Sequence, residues 1–445
     1  MNILCISLGC DKNLVDTEKM LGLLRAEGYQ FTDDEAEADI IVINTCCFIG
    51  DAKEESINTI LEMAKLKETG KCRALIVAGC LAQRYAAEIR KEIPEVDGCV
   101  GTTAYDEIAQ VIRRTLEGKK EMQFMDVNRL PKVNASRIIT TGGCYAFLKI
   151  AEGCDKHCTY CVIPKVRGHY RSVPLEELVH EAKELAEAGV KELILVAQET
   201  TVYGMDLYGE KALPRLIYQL CRIPGIQWIR ILYCYPEEIT PELVEAVKTE
   251  EKVCKYLDIP IQHASDRILK RMGRRTDQKQ LKAIIGMLRR EIPDIALRTT
   301  LISGFPGESQ EDHEILMDFV NEMEFERLGV FAYSQEEDTP AAGFGDQVEE
   351  QVKEQRRDEI MELQQEISLE KSESMIGRIL EVMIEGKVAD ENAYVGRTYM
   401  DTPGVDGLVF VNTQEELLSG DFVRVQVTGA LEYDLIGEIY DESAK

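Results

Sequence analysis

Positive charge is in short supply. The chain carries 52 Lys and Arg against 80 Asp and Glu, a formal net charge of −28 over 445 residues. Nucleic-acid binders gather Lys and Arg on a contact face, so this balance repels phosphate backbones and turns any macromolecular partner towards basic protein. A single Trp and 13 Pro argue against a fibrous or repeat architecture. Long hydrophobic runs are also missing: stretches such as Ile40 to Gly50 fall short of the ~20 residues a spanning helix needs. The start Met1-Asn2-Ile3-Leu4 lacks a basic lead and a small-residue cleavage site, so the protein is expected to stay in the cytoplasm. Neither a GxxxxGK phosphate loop nor a GxGxxG fingerprint occurs, which leaves nucleotide hydrolysis and nicotinamide chemistry unsupported. The remaining composition, 45% hydrophobic and 30% charged, is that of a globular chain long enough for roughly three domains.

Cysteine, in contrast, is plentiful. In a reducing compartment 14 of them call for metal ligation or thiol chemistry rather than disulfides.

The chain reads as α/β with three folded units. Residues 1–118 alternate β-rich and helical runs (Asn2 to Leu8, Val15 to Glu27, Asp39 to Asn44, Glu54 to Lys67, Ala74 to Ala78, Tyr85 to Glu92), which predicts a parallel α/β sheet domain. Residues 119–136 are polar and irregular and read as a linker. A second alternating series over 137–345 has strands centred on Phe147 to Ala151, Leu193 to Ala197, Trp228 to Tyr233, Leu257 to Ile261, Leu297 to Ile302 and Gly329 to Tyr333. Six β/α units predict a partial (β/α)6 barrel of TIM type with its chemistry at the C-terminal strand ends. Residues 346–375 read as a bridging helix whose Glu349 to Arg357 charge run is a solvated face. Residues 376–445 hold five short strands, a small five-stranded β-barrel of OB-like kind. With five basic and 14 acidic residues, a balance of −9, that barrel has the wrong sign for RNA.

Two groups of cysteines stand out. Cys154-x3-Cys158-x2-Cys161 follows the first barrel strand directly, placing three soft thiolates on one loop, where they suit zinc or an iron–sulfur cluster. Zinc would need a fourth ligand, for which His157 and His169 are available. Three ligands on a four-iron cluster instead leave one iron open for substrate. Cys10, Cys46 and Cys80 each end a strand of the first domain, 36 and 34 residues apart, one β/α unit each. In a parallel sheet those ends share one edge, where ligands bind, so the three can meet in space and hold a second cluster with an open iron. Cys5, Cys47, Cys72, Cys99, Cys144, Cys221, Cys234 and Cys254 are assigned to the core.

The CxxxCxxC loop on a six-unit barrel resembles the radical SAM superfamily. The resemblance implies a cluster whose open iron chelates S-adenosylmethionine (SAM) and yields a 5′-deoxyadenosyl radical, with Tyr160 at the adenine-side position. Gly9-Cys10-Asp11-Lys12-Asn13-Leu14-Val15-Asp16-Thr17-Glu18, Asn44-Thr45-Cys46 and Gly79-Cys80-Leu81-Ala82-Gln83, followed by the triad and a small terminal barrel, resemble the methylthiotransferase family along essentially the whole chain. Within it the first motif is similar to the branch that modifies ribosomal protein S-twelve, the RimO type. The resemblance implies two [4Fe–4S] clusters, SAM as both methyl donor and radical source, a sulfur-carrying N-terminal cluster, and the β-carbon of an aspartate as the modified group. It also implies a sulfur donor, an electron donor, and a TRAM-like terminal barrel presenting carboxylates to a basic ribosomal protein.

Further SAM contacts are expected from Gln198 and Glu199 after the second barrel strand, Gln262 with His263 after the fourth, and Arg298 in the fifth, where a guanidinium could pair with the SAM carboxylate. Gly304-Phe305-Pro306-Gly307-Glu308 reads as a turn suited to close approach of a ligand. His180 and His313 are expected at the surface or as caps. Two alternatives stand beside this reading: the same chemistry on tRNA adenosine, and a non-catalytic zinc module whose acidic barrel docks a basic partner.

Overall fold

The computed structural model describes residues 1–133, 135–389 and 391–440. Positions 134, 390 and 441–445, the last five belonging to the expected terminal barrel, lie outside the described residues.

The N-terminal strands are β1 (Asn2–Ser7), β2 (Gln30–Phe31), β3 (Ile40–Thr45), β4 (Ala74–Gly79), β5 (Gly98–Val100) and β6 (Glu121–Gln123). They form one sheet in the order β2-β1-β3-β4-β5-β6, every neighbouring pair parallel. All six residues of β3 and of β4 are buried, as expected of continuous apolar runs covered by helices on both faces. Separate apolar clusters lie on the two sides, one around Ile41, Ile43, Leu75 and Val77, the other around Ile3, Ile40, Val42 and Ile76. The sheet reaches further than the sequence pattern suggests. β6 lies inside the stretch read as a linker and pairs with β5, because a three-residue edge strand is too short to show an alternating pattern.

The second sheet opens with β7 (Tyr145–Lys149). A two-stranded antiparallel ladder, β8 (Ala151–Glu152) with β9 (Arg171–Ser172), brackets the Cys154 to Cys161 loop. Five more strands follow: β10 (Glu192–Val196), β11 (Trp228–Ile231), β12 (Val253–Asp258), β13 (Ala296–Ser303) and β14 (Arg327–Ala332). Each pairs in parallel with the next, giving the order β7-β10-β11-β12-β13-β14, a sheet of six β/α units. The expected α/β class with a partial barrel is therefore observed. The helix Asp11–Ala26 of the first domain packs against edge strand β7, and the helix Glu350–Glu373 packs against β14 at the other edge.

That second helix differs from the expected solvated face. Lys353 and Arg356 are buried: Lys353 Nζ donates to the Tyr333 carbonyl at 3.2 Å, and Arg356 Nη1 pairs with Glu308 Oε1 at 2.9 Å. Gly304, with φ +68°, approaches this helix rather than a ligand; a Cβ there would stand 2.2 Å from Lys353 Cγ. His313 is likewise buried, at 2% exposure, and bonded to Glu359 of the helix at 2.7 Å, whereas His180 is exposed as expected. Helical periodicity does not distinguish a charged side chain with a buried partner from one in water.

The C-terminal strands β15 (Ile379–Lys387), β16 (Ala393–Arg397), β17 (Val409–Asn412), β18 (Phe422–Ala430) and β19 (Leu435–Ile439) close into a barrel in the order β15-β16-β17-β19-β18. This barrel plugs the inner face of the central sheet. Met383, Met400 and Phe422 pack with Trp228, Ile194 and Tyr256, and the Phe422 ring stands edge-on to Trp228 at 4.8 Å. An ionic knot centred on fully buried Glu192, Arg230 and Arg397 sits beside them. Glu192 receives Arg230 Nε at 2.7 Å and Arg397 Nη2 at 2.7 Å, and Arg397 Nε reaches Glu385 at 2.6 Å.

Candidate functional site: two cysteine trios joined by a buried ionic bridge

Cys10, Cys46 and Cys80 follow β1, β3 and β4, three strands adjacent in the sheet, so chain direction alone brings them to one edge. Cys10 is the N-cap of the helix Asp11–Ala26, and Cys80 opens the helix Cys80–Glu92. Cys46 is fixed by Ser56, whose Oγ accepts from the Cys46 amide at 3.1 Å and donates to its carbonyl at 2.9 Å. Gly9 allows the close approach: its φ is +83°, and a Cβ would lie 2.8 Å from Cys46 Sγ. Burial pushes Cys46 up to about 12, with Cys80 and Cys10 adding to the rise, and Cys80 is raised by burial too.

The second trio is local. Gly153 has φ +82°, and a Cβ there would collide with the His169 carbonyl oxygen at 2.1 Å. The loop is pinned by the Cys154 amide donating to the Gly168 carbonyl at 3.1 Å, Cys161 to Cys158 at 3.0 Å, and Thr159 to Met272 at 2.9 Å. Cys158 Sγ lies 3.2 Å from Tyr235 Oη. Burial pushes Cys154 up to about 12 and raises Cys161 further. Arg274 stacks 4.2 Å from the Tyr235 ring centroid, and its buried Nε and Nη1 have no partner.

A pocket of about 340 Å3 beside this loop is lined by Cys154, Lys156, Tyr170, Glu199, Met205 and Asp206, among others. Glu199 is 1% exposed, and burial pushes its carboxyl up to about 7 against the opposing pull of Lys156, 3.3 Å away. Gln198 serves the loop itself: its Oε1 accepts from the Gly153 amide at 2.8 Å and its Nε2 donates to Glu152 at 2.8 Å. Tyr160 meets Phe305 edge to face at 6.4 Å. Gln262, in a left-handed conformation with φ +72°, bridges by its backbone to β13. His263 is fully buried, 3.3 Å from Glu308. Arg298 Nη1 pairs with Asp258 at 3.0 Å and its Nε with Asp406 of the terminal barrel at 3.3 Å, so it also joins the two domains.

Between the trios lies a group the sequence did not single out. Arg167, 1% exposed, donates to Asp16 at 2.8 Å and Glu152 at 3.0 Å, and also to Asn13 Oδ1. Lys149 joins the same two carboxylates. Asn13 Oδ1 stands 3.9 Å from Cys80 Sγ, and Glu152 leads through Gln198 to the amide before Cys154. A continuous chain of polar contacts thus runs from one trio to the other. A lysine closing the apolar strand β7 was the available signal; Arg167 and Tyr235 had none.

The donor sets suit iron–sulfur clusters. Each offers three thiols, and iron binding is what would deprotonate thiols raised by burial. The orphaned Arg274 donors supply positive charge beside Cys158, where a thiolate cluster would place negative charge. For zinc the fit is poor: His169 is exposed and bonded to Asp155, and among the described residues no three His, Cys, Asp or Glu side chains converge tightly enough for a single ion.

Comparison with known proteins agrees with this geometry. Residues 148–320 match the Radical SAM superfamily, residues 376–439 the TRAM domain, and residues 2–101 the uncharacterized protein family UPF0004. Among solved structures, the radical S-adenosylmethionine methyltransferase TsrM of Kitasatospora setae, with cobalamin and a [4Fe-4S] cluster bound, shares the fold at a TM-score of 0.56, with 14% identity over 85% of this chain and 80% of that one. The protein is a radical SAM enzyme, a class whose cofactors are a [4Fe–4S] cluster and SAM.

The ribosomal protein uS12 methylthiotransferase RimO of Lachnoclostridium phytofermentans is 65% identical over 437 residues, 98% of this chain and 99% of that protein. Its counterpart in Acetivibrio thermocellus is 53% identical over 99% of this chain and 98% of that protein. The chain belongs to the RimO family of ribosomal protein uS12 methylthiotransferases.

Proposed function

We propose that the chain adds a methylthio group to the β-carbon of an aspartate in uS12, with one cluster held by Cys10, Cys46 and Cys80 and another by Cys154, Cys158 and Cys161. When bound, the triad cluster and SAM supply the radical that removes hydrogen from carbon, a second SAM supplies methyl, and the N-terminal cluster carries the sulfur. The residues of this chain do the rest. Tyr235 Oη, 3.2 Å from Cys158 Sγ, would donate to a thiolate there and Arg274 would balance its charge, while Lys156 and Glu199 line the pocket where the SAM amino group would meet a carboxylate. Tyr160, held by Phe305, offers a ring to adenine, and Gln198 fixes the loop before Cys154. Gln262 belongs to the same strand-end rim.

The supporting observation is the Asp16–Arg167–Glu152 bridge, which ties both trios into one buried centre. The reading also calls for a sulfur donor and an electron donor as partners. The terminal barrel favours uS12 over tRNA. Asp401 and Asp406 are spent on the central domain and Glu385 on Arg397 of the barrel itself, but Glu381, Glu391, Glu415, Glu416, Glu432 and Glu438 remain exposed for a basic partner. Such a substrate places the reaction in the cytoplasm.

Reconstituted protein incubated with reductant, sulfide, SAM and uS12 should hold about eight irons per chain and return uS12 with the methylthio mass on an aspartate. Modified tRNA with untouched uS12 would refute the reading.

A further inference from the structure

The first turn after Cys10 carries two side chains unused by the bridge. Asp11 and Lys12 reach across to Tyr233, which follows β11 of the central domain and has a left-handed backbone with φ +59°. Both side chains are 8% exposed. Lys12 Nζ stands 3.5 Å from the Tyr233 ring centroid and 2.7 Å from Asp11 Oδ1, and Tyr233 Oη donates to the same oxygen at 3.3 Å. Asp11 Oδ2 is buried and has no partner.

An orphaned buried carboxylate oxygen carries a desolvation cost unless something donates to it. A buried ammonium has three donors, and here one faces a carboxylate and another a ring face. The other buried cations nearby are spent: Lys149 and Arg167 on Asp16 and Glu152, Arg298 on Asp258 and Asp406. Lys12 is the one with a single carboxylate partner. Beside Cys10, the pair thus offers a free cationic donor and a free anionic acceptor.

We infer that Asp11 and Lys12 form the subsite for the aspartyl residue of the substrate, Lys12 taking its side-chain carboxylate and Asp11 Oδ2 accepting its backbone N–H. This assignment rests on the reading of aspartate as the modified residue. An aspartyl residue presents both groups, with only the α- and β-carbons between them, so a two-point grip restricts where the β-carbon that must lose hydrogen can stand. Tyr233, contributed by the other domain, holds the ammonium in place from its ring face. Asparagine would keep the N–H but lose the anion.

The test compares the affinity of the reconstituted enzyme for uS12 with that for uS12 in which the modified aspartate is replaced by asparagine, by calorimetric titration. The wild type should prefer the aspartate form on the order of 10- to 100-fold. Lys12→Met should bring the ratio near one, and Lys12→Arg should restore part of it. Asp11→Asn should weaken both forms alike, by roughly 5- to 10-fold. If Lys12→Met keeps the preference, or weakens both forms equally with the ratio intact, Lys12 is a structural clamp and the subsite is wrongly assigned, while the aspartate reading stands. If the wild type shows no preference and leaves the aspartate unmodified, the function itself has been misread.

Discussion

The two cysteine trios are brought together by opposite means. Cys154, Cys158 and Cys161 lie within eight residues, so the chain itself keeps them together, and Gly168, Gln198 and Met272 pin their loop. Cys10, Cys46 and Cys80 span more than seventy residues and are assembled only because β1, β3 and β4 are neighbours in a parallel sheet. A local trio depends less on the pairing of distant strands. A dispersed trio is only as well placed as the sheet and its contacts with the central domain.

The sharpest way to break this comparison is to remove one thiol from each. Cys158→Ala should abolish 5′-deoxyadenosine formation, a loss of at least 100-fold, because the triad then lacks a ligand. Cys46→Ala should leave SAM cleavage standing and abolish only methylthio transfer, with iron falling to about half. Chromatographic analysis of the nucleoside beside mass analysis of uS12 separates the two; equal loss of both products in Cys46→Ala would erase the distinction.

Arg167→Met tests the bridge. Removing a buried guanidinium leaves Asp16 and Glu152 with Lys149 alone, which should cost about 3–5 kcal/mol, readable as a lower Tm. The dispersed trio should lose iron first, since Asp16 and Asn13 belong to the helix that Cys10 caps. Equal iron loss from both would contradict the contrast drawn here.

The smallest effect concerns the pocket next to the local trio. Burial raises the Glu199 carboxyl to about 7. The protonated form is favoured in the folded state, so this group's contribution to stability falls as pH rises from the ordinary carboxylate range through 7. Binding of a cationic amino group runs the other way, because it needs the ionised form. SAM affinity should weaken several-fold from pH 8 to pH 6, and Glu199→Gln should flatten that dependence in an equilibrium titration.

The contrast also explains what could be read from the sequence. The local trio is visible as spacing, and the dispersed one becomes visible once the strands around Ile6, Ile43 and Val77 are taken as one parallel sheet, since strand ends are shared property of a topology. Charged residues were the blind spot. Lys353, Arg356, His313 and Arg167 look like surface residues in any periodicity argument, yet each is buried against a partner far away in the chain. Pairing of that kind leaves no local pattern. The same holds for β6, whose three residues are defined by their neighbour β5 alone.

The knot of Glu192, Arg230 and Arg397 at the base of the central sheet has one more implication. A module joined by a flexible tether delivers its cargo over a range of distances; this one is soldered in place by charges that water cannot reach. Whatever the outer acids of the barrel grasp is presented at a set reach from the strand ends, so that reach, as much as sequence, would decide which residue of the cargo is touched. Cutting the module away would strand two buried ions and a tryptophan in solvent, and the remaining protein would be expected to aggregate rather than work as a smaller enzyme.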